Sequence, residues 1–403
     1  MQASNAEIIT RNQGEWNEIH AVMRILAEGR IATLRVTQDG VVPTGASVLV
    51  DSLRTGRSGD VLDYKLVRNE DGVPVRLVIT DEKGCELSSI PHETVREDFV
   101  FFDRGLRHAK TSSAFSVPGA EELFRCYRFG SGKSPSNLKQ DCELVLIAPD
   151  GVREERRGFS IKSHTGGNPT LFNASASAEF QIRLAGNTGE AAVKALAAVP
   201  ARQSRNWIIE RTDALFNLHA FTTDVKTTKA TFGKNLALLD SNMTVVIAHL
   251  MLYGRSSAVK SGSLREALDL LIQNDPLGLG TLYAPTYYSF RVRHFLRAAA
   301  LGMTAAKQWD GNEDAEGGML IVAHDRSLHC LLAGKSEFEQ YLLQTTYFDS
   351  PDTKRYPSFS TVDVTPDGVY WFRMILQLRE RNPFPKNLTS ATSVPILSFD
   401  FLS

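Results

Sequence analysis

The run Asp141-Cys-Glu-Leu-Val-Leu-Ile-Ala-Pro-Asp-Gly-Val-Arg-Glu-Glu-Arg-Arg-Gly-Phe-Ser-Ile-Lys-Ser163 decides the fold. Its first eight residues begin by alternating polar and apolar, the period of a half-buried strand. Pro149-Asp150-Gly151 supplies a turn, and Arg157 to Ser163 returns as a second strand. A turn centred between Gly151 and Val152 sets Asp141 opposite Lys162 and Glu143 opposite Ser160. Directly opposed residues on antiparallel strands have β-carbons roughly 4.5–5.5 Å apart. Alternation then gathers Asp141, Glu143, Ser160 and Lys162 on one face, leaving Cys142, Leu144, Phe159 and Ile161 for a core.

Upstream of this hairpin, Trp16, Ile19, Val22, Met23 and Leu26 recur at three- and four-residue spacing, which predicts a helix closed by Gly29. Glu15 and Glu18 share one flank of it. Residues 31–100 read as strands, among them 31–36 and 75–79, with turns at Asp39-Gly40 and Asp71-Gly72. Pro118 to Phe129 reads as a short helix ending near a flexible Gly130-Ser-Gly132 junction. Downstream, Glu190 to Ala198, Leu236 to Leu252, Leu264 to Ile272 and Tyr287 to Leu301 read as helices. Strands return at Met319 to Ala323, at Ser327 to Leu332 across an Asp325-Arg326 turn, and at Val369 to Leu378. No repeat and no regular βαβ alternation is visible. The fold class expected is therefore mixed α/β (α+β), with a central mixed sheet flanked by helices and additional N-terminal β and C-terminal α/β elements. Four regions are expected: 1–30 as the first helix of the core, 31–130 as a β-rich region, 131–235 as the catalytic hairpin and its following loop, and 236–403 as a helical, then β, recognition region.

Composition narrows the class without naming it. The 403 residues carry 42% hydrophobic and 23% charged side chains, ordinary for a folded protein. No stretch approaches the roughly eighteen unbroken apolar residues of a membrane helix. The first residues lack the basic-then-apolar plan of a secretory signal. Cys85, Cys126, Cys142 and Cys330 are scattered with no CxxC, which argues against a zinc ribbon or disulfide framework and suits a cytoplasmic location. The formal net charge of −1 means that any basic surface for nucleic acid must be local. Neither GxSxG nor HExxH occurs. Gly132-Lys133-Ser134 is similar to the end of a Walker loop, but Tyr127 stands where its first glycine belongs.

An Asp and a Lys about twenty residues apart on a hairpin are, taken alone, most often a solvated ion pair worth under ~1 kcal/mol. With a carboxylate-bearing helix before them, they resemble the skeleton of PD-(D/E)xK nucleases. Phosphodiester hydrolysis needs a hydroxide at neutral pH and stabilisation of extra negative charge on phosphorus. A hard divalent cation held by carboxylates meets both needs, and Mg²⁺ favours octahedral oxygen ligands with waters retained. A lysine can orient the attacking water or stabilise charge on the phosphate. One departure stands out: Ser160-Ile161-Lys162 has serine where the triplet's acidic member belongs.

The wider context carries more weight. Gly14-Glu15-Trp16-Asn17-Glu18, Asp141, Gly158 to Ser163 and Asn168-Pro-Thr-Leu-Phe-Asn-Ala-Ser175 resemble, in order, the signatures of HpaII-type restriction endonucleases. The likeness continues through Asn235-Leu, Leu239-Asp240-Ser241, Tyr287-Tyr288, Leu301-Gly302-Met303, Trp309-Asp-Gly311, Gly317 to Val322, Phe338 to Thr346 and Leu376 to Arg379. It stops there, before Pro383 and Pro385. The resemblance implies a type II restriction endonuclease cutting double-stranded DNA at a short, CCGG-like sequence with Mg²⁺. Its partners would be a second copy of the chain, since palindromic sites favour two-fold symmetry, and a cognate DNA methyltransferase in a restriction-modification system.

Asp141 is then the expected metal ligand and Lys162 the catalytic lysine. Glu15 is the favoured second carboxylate, because first-helix glutamates approach this site in the nuclease superfamily; Glu143 is the geometric alternative and Glu179 a third candidate. Ser160 either holds a metal-bound water or satisfies a neighbouring backbone group, and the carbonyl of Ile161 is a further ligand candidate. The polar loop Ser163-His164-Thr-Gly-Gly-Asn168 suits approach to DNA phosphates through backbone N–H groups. His164 is expected either in solvent or on a phosphate, and Asn168 and Asn173 as DNA contacts or turn-formers. Arg291, Arg293, His294, Arg297 and Lys307 form the densest basic cluster, either reading bases in the major groove or lining a solvated helix face. Two rival functions accompany this reading. One is a sequence-specific DNA-binding protein with a decayed nuclease site, motivated by Ser160; the other is a nuclease that requires modified bases.

Overall fold

In the computed structural model the described residues are 9–37, 40–55, 61–109, 113–130, 140–148, 150–332 and 334–384. The chain begins with α1 (Gln13–Glu28), β1 (Arg30–Thr37), β2 (Gly40–Thr55), β3 (Leu62–Arg68), β4 (Pro74–Thr80) and β5 (Glu86–Pro91). Next come α2 (His92–His108), α3 (Ala120–Tyr127), β6 (Cys142–Ile147), β7 (Arg157–Ser163), β8 (Thr170–Phe172) and β9 (Glu179–Leu184). The middle is mostly helical: α4 (Gly189–Ala198), α5 (Trp207–Asn217), β10 (Phe221–Thr227), α6 (Ala230–Leu239), α7 (Met243–Gly254), α8 (Leu264–Asn274) and α9 (Ala284–Leu301). The remainder is β11 (Gly318–Val322), β12 (Leu328–Leu332), α10 (Lys335–Thr345), β13 (Thr346–Phe348), β14 (Thr361–Val364), β15 (Tyr370–Ile375) and β16 (Leu378–Glu380). Two compact units result. The first comprises Met1–Asn168, Asp314–Phe338 and Asn382–Ser403, the second Pro169–Glu313 and Glu339–Arg381.

In the first unit, α1 starts at a capping box. The Asn12 side chain accepts from the Glu15 N–H, and the Glu15 carboxylate accepts from the Asn12 N–H, both at 3.0 Å. Such a cap stabilises a helix by about 1 kcal/mol. The predicted stripe is buried throughout, with Trp16, Met23 and Leu26 wholly inaccessible, and each such side chain contributes roughly 1.5–3 kcal/mol on leaving water. Gly29 ends the helix at φ 64°, and a β-carbon there would lie 2.7 Å from Pro74 Cγ, so only glycine fits.

The helix packs on a nine-stranded mixed sheet in the order β1-β12-β11-β7-β6-β2-β3-β4-β5. Strand β1 also pairs with β2, so six strands form a closed circuit of pairings, with β3, β4 and β5 as an antiparallel extension. The long β2 makes this closure: its first half pairs with β1, its second half with β6 and β3. The expected mixed α/β architecture, a large mixed sheet flanked by helices, is the one the chain adopts.

Two readings of local structure are corrected. Helix α2 begins within the 31–100 region read as strands, because its charged residues mask a buried stripe of Val95, Phe102 and Leu106. The helix expected from Leu236 to Leu252 is two, α6 and α7, bent by 100°. Asp240 ends the first: its carboxylate accepts from the Asn242 N–H at 2.8 Å, an Asx turn that competes with helical pairing. The Gly132-Lys133-Ser134 motif, most of the Gly130–Gly132 junction, Asp39, Pro149 and Pro385 lie outside the described residues.

The second unit holds a four-stranded antiparallel sheet, β10-β9-β15-β14, and a three-stranded one, β13-β16-β8, with α4 to α9. Among the described residues no single helix is long and apolar enough to cross a membrane.

Candidate active site

The hairpin forms where expected, in a different register. Glu143 lies opposite Gly158 and Cys142 opposite Phe159, two residues away from the predicted alignment. The turn is tighter than assumed: Gly151 N–H donates to the Ala148 carbonyl at 2.9 Å, and Ala148 N–H to the Val152 carbonyl at 2.8 Å. Ile147 therefore bridges Arg153. Between that bridge and the Leu144–Arg157 pair the return strand carries one extra residue. A single-residue slip exchanges the faces of a strand, so this bulge restores the parity that the tight turn would have lost. Phe159 and Ile161 join Cys142 and Leu144 in the core with Trp16.

Asp141 sits one residue before β6, where the ladder ends, its own N–H donating to the Phe159 carbonyl at 2.8 Å. Its Oδ2 accepts the Ile161 N–H at 2.6 Å and faces the Ser160 hydroxyl at 3.4 Å. The carboxylate is thus clamped against the serine-containing triplet. Ser160 is 1% exposed, while Asp141 and Lys162 are half-buried. Lys162 is held in the sheet interior, paired in parallel register with Ile321 of β11. Behind the triplet, Gly158 permits a close approach: a β-carbon would lie 2.1 Å from the Asp314 carbonyl oxygen. Gly317 N–H donates to the Gly158 carbonyl at 2.8 Å, so the segment entering β11 lies directly on the start of β7.

The three candidate second carboxylates have other partners. Glu15 closes the α1 capping box. Glu143 accepts from Gln140 Nε2 at 3.2 Å and lies 3.9 Å from Arg54 Nη1, in a network where Asp63 holds both Arg54 and Arg156. Glu179 belongs to the second unit. It is 3% exposed and accepts from Thr228 and Ser358, both at 2.7 Å, and from Arg373 at 2.7 Å. No group of three or more His, Cys, Asp or Glu side chains able to share a metal ion occurs among the described residues. The groups that converge are the Asp141 carboxylate, a hard oxygen donor of the kind Mg²⁺ takes, and the Ser160 hydroxyl and Ile161 N–H that face it. That carboxylate leaves most of an octahedron to water or to an added carboxylate.

In the following loop, the Ser163 hydroxyl lies 3.1 Å from Thr165 Oγ1, Asn168 is exposed, and His164 N–H donates to the Val322 carbonyl at 2.9 Å. His164 is neither in solvent nor ready to hold a phosphate by charge. It is 6% exposed, and neither ring nitrogen meets a hydrogen-bond partner among the described residues. Burial lowers its pKa to about 4, so the ring is neutral at pH 7. Sequence reasoning missed Asn17, a buried amide on α1 bonded to Thr165. The available signal was an asparagine within the apolar side of an amphipathic helix.

In the second unit Asn173 is exposed. The α9 cluster is largely engaged: Arg291 pairs with Asp240 at 2.8 Å and stacks on Tyr287 and Phe290. Arg297 grips Glu313 through two bonds of 2.6 and 2.7 Å, and Arg293 donates to the Ser289 carbonyl at 3.0 Å. Lys307 is exposed.

Comparison with known proteins finds a relative and a family. The type II restriction enzyme HpaII of Haemophilus parainfluenzae is 27% identical over 376 residues, covering 93% of this chain and 99% of the relative. No solved structure matches. The family described as HpaII restriction endonuclease matches residues 12–380, which include α1, the hairpin, the loop after it and all later strands; the chain belongs to the HpaII restriction endonuclease family.

Proposed function

We propose that this protein is a type II restriction endonuclease that hydrolyses both strands of duplex DNA at a short, CCGG-like sequence, with Mg²⁺ as cofactor. The observation that carries the reading is the Asp141 carboxylate fixed against Ser160 and Ile161, one residue before Lys162, at the mouth of a hairpin seated in a mixed sheet. Asp141, with the Ile161 carbonyl and a second carboxylate from Glu15 or Glu143, would hold the metal. When bound, Mg²⁺ supplies positive charge at the phosphate and Lewis acidity toward water.

The chain's own groups do the rest. The Ile161 N–H fixes Asp141 before any ligand arrives, so its orientation costs nothing during the reaction. Lys162 brings an ammonium to the same end of the strand, where it orients the attacking water and offsets charge developing on the phosphate. Ser160 replaces a charged ligand with a hydroxyl, which holds water rather than metal. Recruiting Glu15 requires opening its capping box, and recruiting Glu143 requires competing with Arg54. Ser163, Asn168 and backbone N–H groups of the loop suit phosphate contacts. His164 buttresses that loop as a neutral ring, and Asn173 is a candidate contact. For base reading, Arg293 and Lys307 are better available than Arg291 and Arg297, which would first exchange their carboxylate partners. A homodimer, a cognate methyltransferase that protects host DNA, a cytoplasmic location and defence against phage complete the proposal.

The test is cleavage of a sequenced plasmid with Mg²⁺ and mapping of the ends produced. Discrete fragments are expected from the wild type. Lys162→Ala should bind the same DNA and lose about 10²–10⁴-fold in rate; wild-type cutting by that variant would end the proposal. Ser160 and the sparse acidic set favour one rival, a DNA-binding protein without nuclease activity. It predicts band shifts with no cleavage in Mg²⁺, Mn²⁺ or Ca²⁺. Comparing methylated with unmethylated plasmid addresses the remaining rival, a nuclease that requires modified bases.

A further inference from the structure

Asn17 is an unusual residue for its place. It lies on the α1 face that packs inward, 1% exposed, where asparagine is a poor helix former and a buried amide must be fully hydrogen-bonded. Its bonds lead to one destination. Asn17 Nδ2 donates to Thr165 Oγ1 at 2.7 Å, in the loop that follows the Lys162 strand. On its other side, Oδ1 accepts from Gln13 Nε2 at 3.3 Å and Arg326 Nη1 at 3.5 Å. A guanidinium only donates, so the amide cannot be reversed without setting donor against donor.

That fixed orientation propagates. Because Nδ2 only donates, Thr165 Oγ1 accepts from it and lies 3.1 Å from Ser163 Oγ, a contact in which either hydroxyl can be the donor. Ser163 Oγ also accepts the Thr165 N–H at 3.3 Å. Ser163 Oγ thus joins the chain of hydrogen bonds that runs through Thr165 back to Asn17, immediately after Lys162. The loop is held to the same helix by contact as well, since a β-carbon on Gly166 would lie 2.7 Å from Gln13 Cγ.

We propose that Asn17 is a positioning residue of the cleavage site, which through Thr165 fixes the loop after Lys162 and aims the Ser163 hydroxyl at a phosphate oxygen of the DNA. This rests on the nuclease reading above. Asn17 touches no substrate; it acts through Thr165.

The test uses the full-length protein, Mg²⁺ and a plasmid substrate, with kcat and KM measured separately and thermal midpoints recorded. Thr165→Val keeps the side-chain shape and removes the hydroxyl. It should lower kcat about 10- to 100-fold with KM within about twofold. Thr165→Ser should cut nearly as the wild type does, which a purely steric role would not predict. Asn17→Ala should match Thr165→Val in kcat, and the double variant should lose little more, because both break one chain of bonds. Should Asn17→Ala fail to fold, the Thr165 pair still decides. Thr165→Val cutting at the wild-type kcat, or Thr165→Ser losing as much as Thr165→Val, overturns the assignment of Asn17 alone. A wild type that cuts no DNA overturns the nuclease reading and this inference together.

Discussion

Asp141 and Glu179 are both carboxylates that the sequence offers as metal ligands, and the fold uses them in opposite ways. Glu179 is sealed in the second unit, where Thr228, Ser358 and Arg373 converge on it and almost no surface remains. Asp141 stays half-buried at a strand end, one oxygen steadied by the Ile161 N–H. A charge surrounded by its own donors holds structure together; a half-buried charge at a strand end keeps part of its surface accessible. The α9 arginines are engaged in the same way as Glu179, gripping Asp240 and Glu313.

Three experiments can break or sharpen this contrast. The largest effect belongs to Glu179→Ala, which leaves Arg373 facing a vacated, buried position. It should cost about 3–5 kcal/mol in denaturant unfolding while each folded molecule keeps its cutting rate. Lost cleavage at unchanged stability would reverse the roles assigned to the two carboxylates.

Gly158→Ala comes next. A new β-carbon would press into the Asp314 carbonyl oxygen, a clash that should cost up to about 3 kcal/mol. Because Gly158 is the second residue of the strand that carries Lys162, both unfolding stability and cleavage should fall. A variant that is destabilised yet cuts normally would separate the Gly158 contact from the site.

The smallest effect concerns pH. His164 has its folded pKa lowered to about 4 by burial, against an ordinary value near 6.5. The unfolded chain therefore binds the proton more tightly, so the contribution to stability is intact above pH 6.5 and is lost as the pH falls toward 4. At pH 5 the loss should be about 2 kcal/mol. His164→Leu should flatten the fall in thermal midpoint between pH 7 and pH 5; an unchanged slope would show that His164 does not carry this term.

What could be read from sequence divides along physical lines. Local patterns were legible: the α1 stripe closing on Gly29, the hairpin strands and the Asp325-Arg326 turn each depend on a few neighbouring residues. The hairpin register was not, because it is set by a tight turn and one unpaired residue between Arg153 and Arg157 that no alternation pattern reveals. The break between α6 and α7 was hidden in an apolar run until Asp240 found Asn242, Tyr287 and Arg291. At the site, Asp141 and Ile161 stand twenty residues apart in sequence, and their contact follows from strand pairing. Glu15 carried a competing signal all along: Asn12-Gln-Gly-Glu15 is the spacing of a capping box, and the box is formed. Asn17 depended on a loop far along the chain, a partner that sequence spacing does not announce.

The closed circuit of strands has a consequence for how the molecule is made. Strand β7 is seated between β6, its immediate predecessor, and β11, which is synthesised only after the whole helical middle of the chain. Until residues 318–322 leave the ribosome, one flank of the lysine-bearing strand has no neighbour, and pairing across such a distance is slow to form. A chain wired in this way cannot close the sheet around its lysine-bearing strand until β11 has been made.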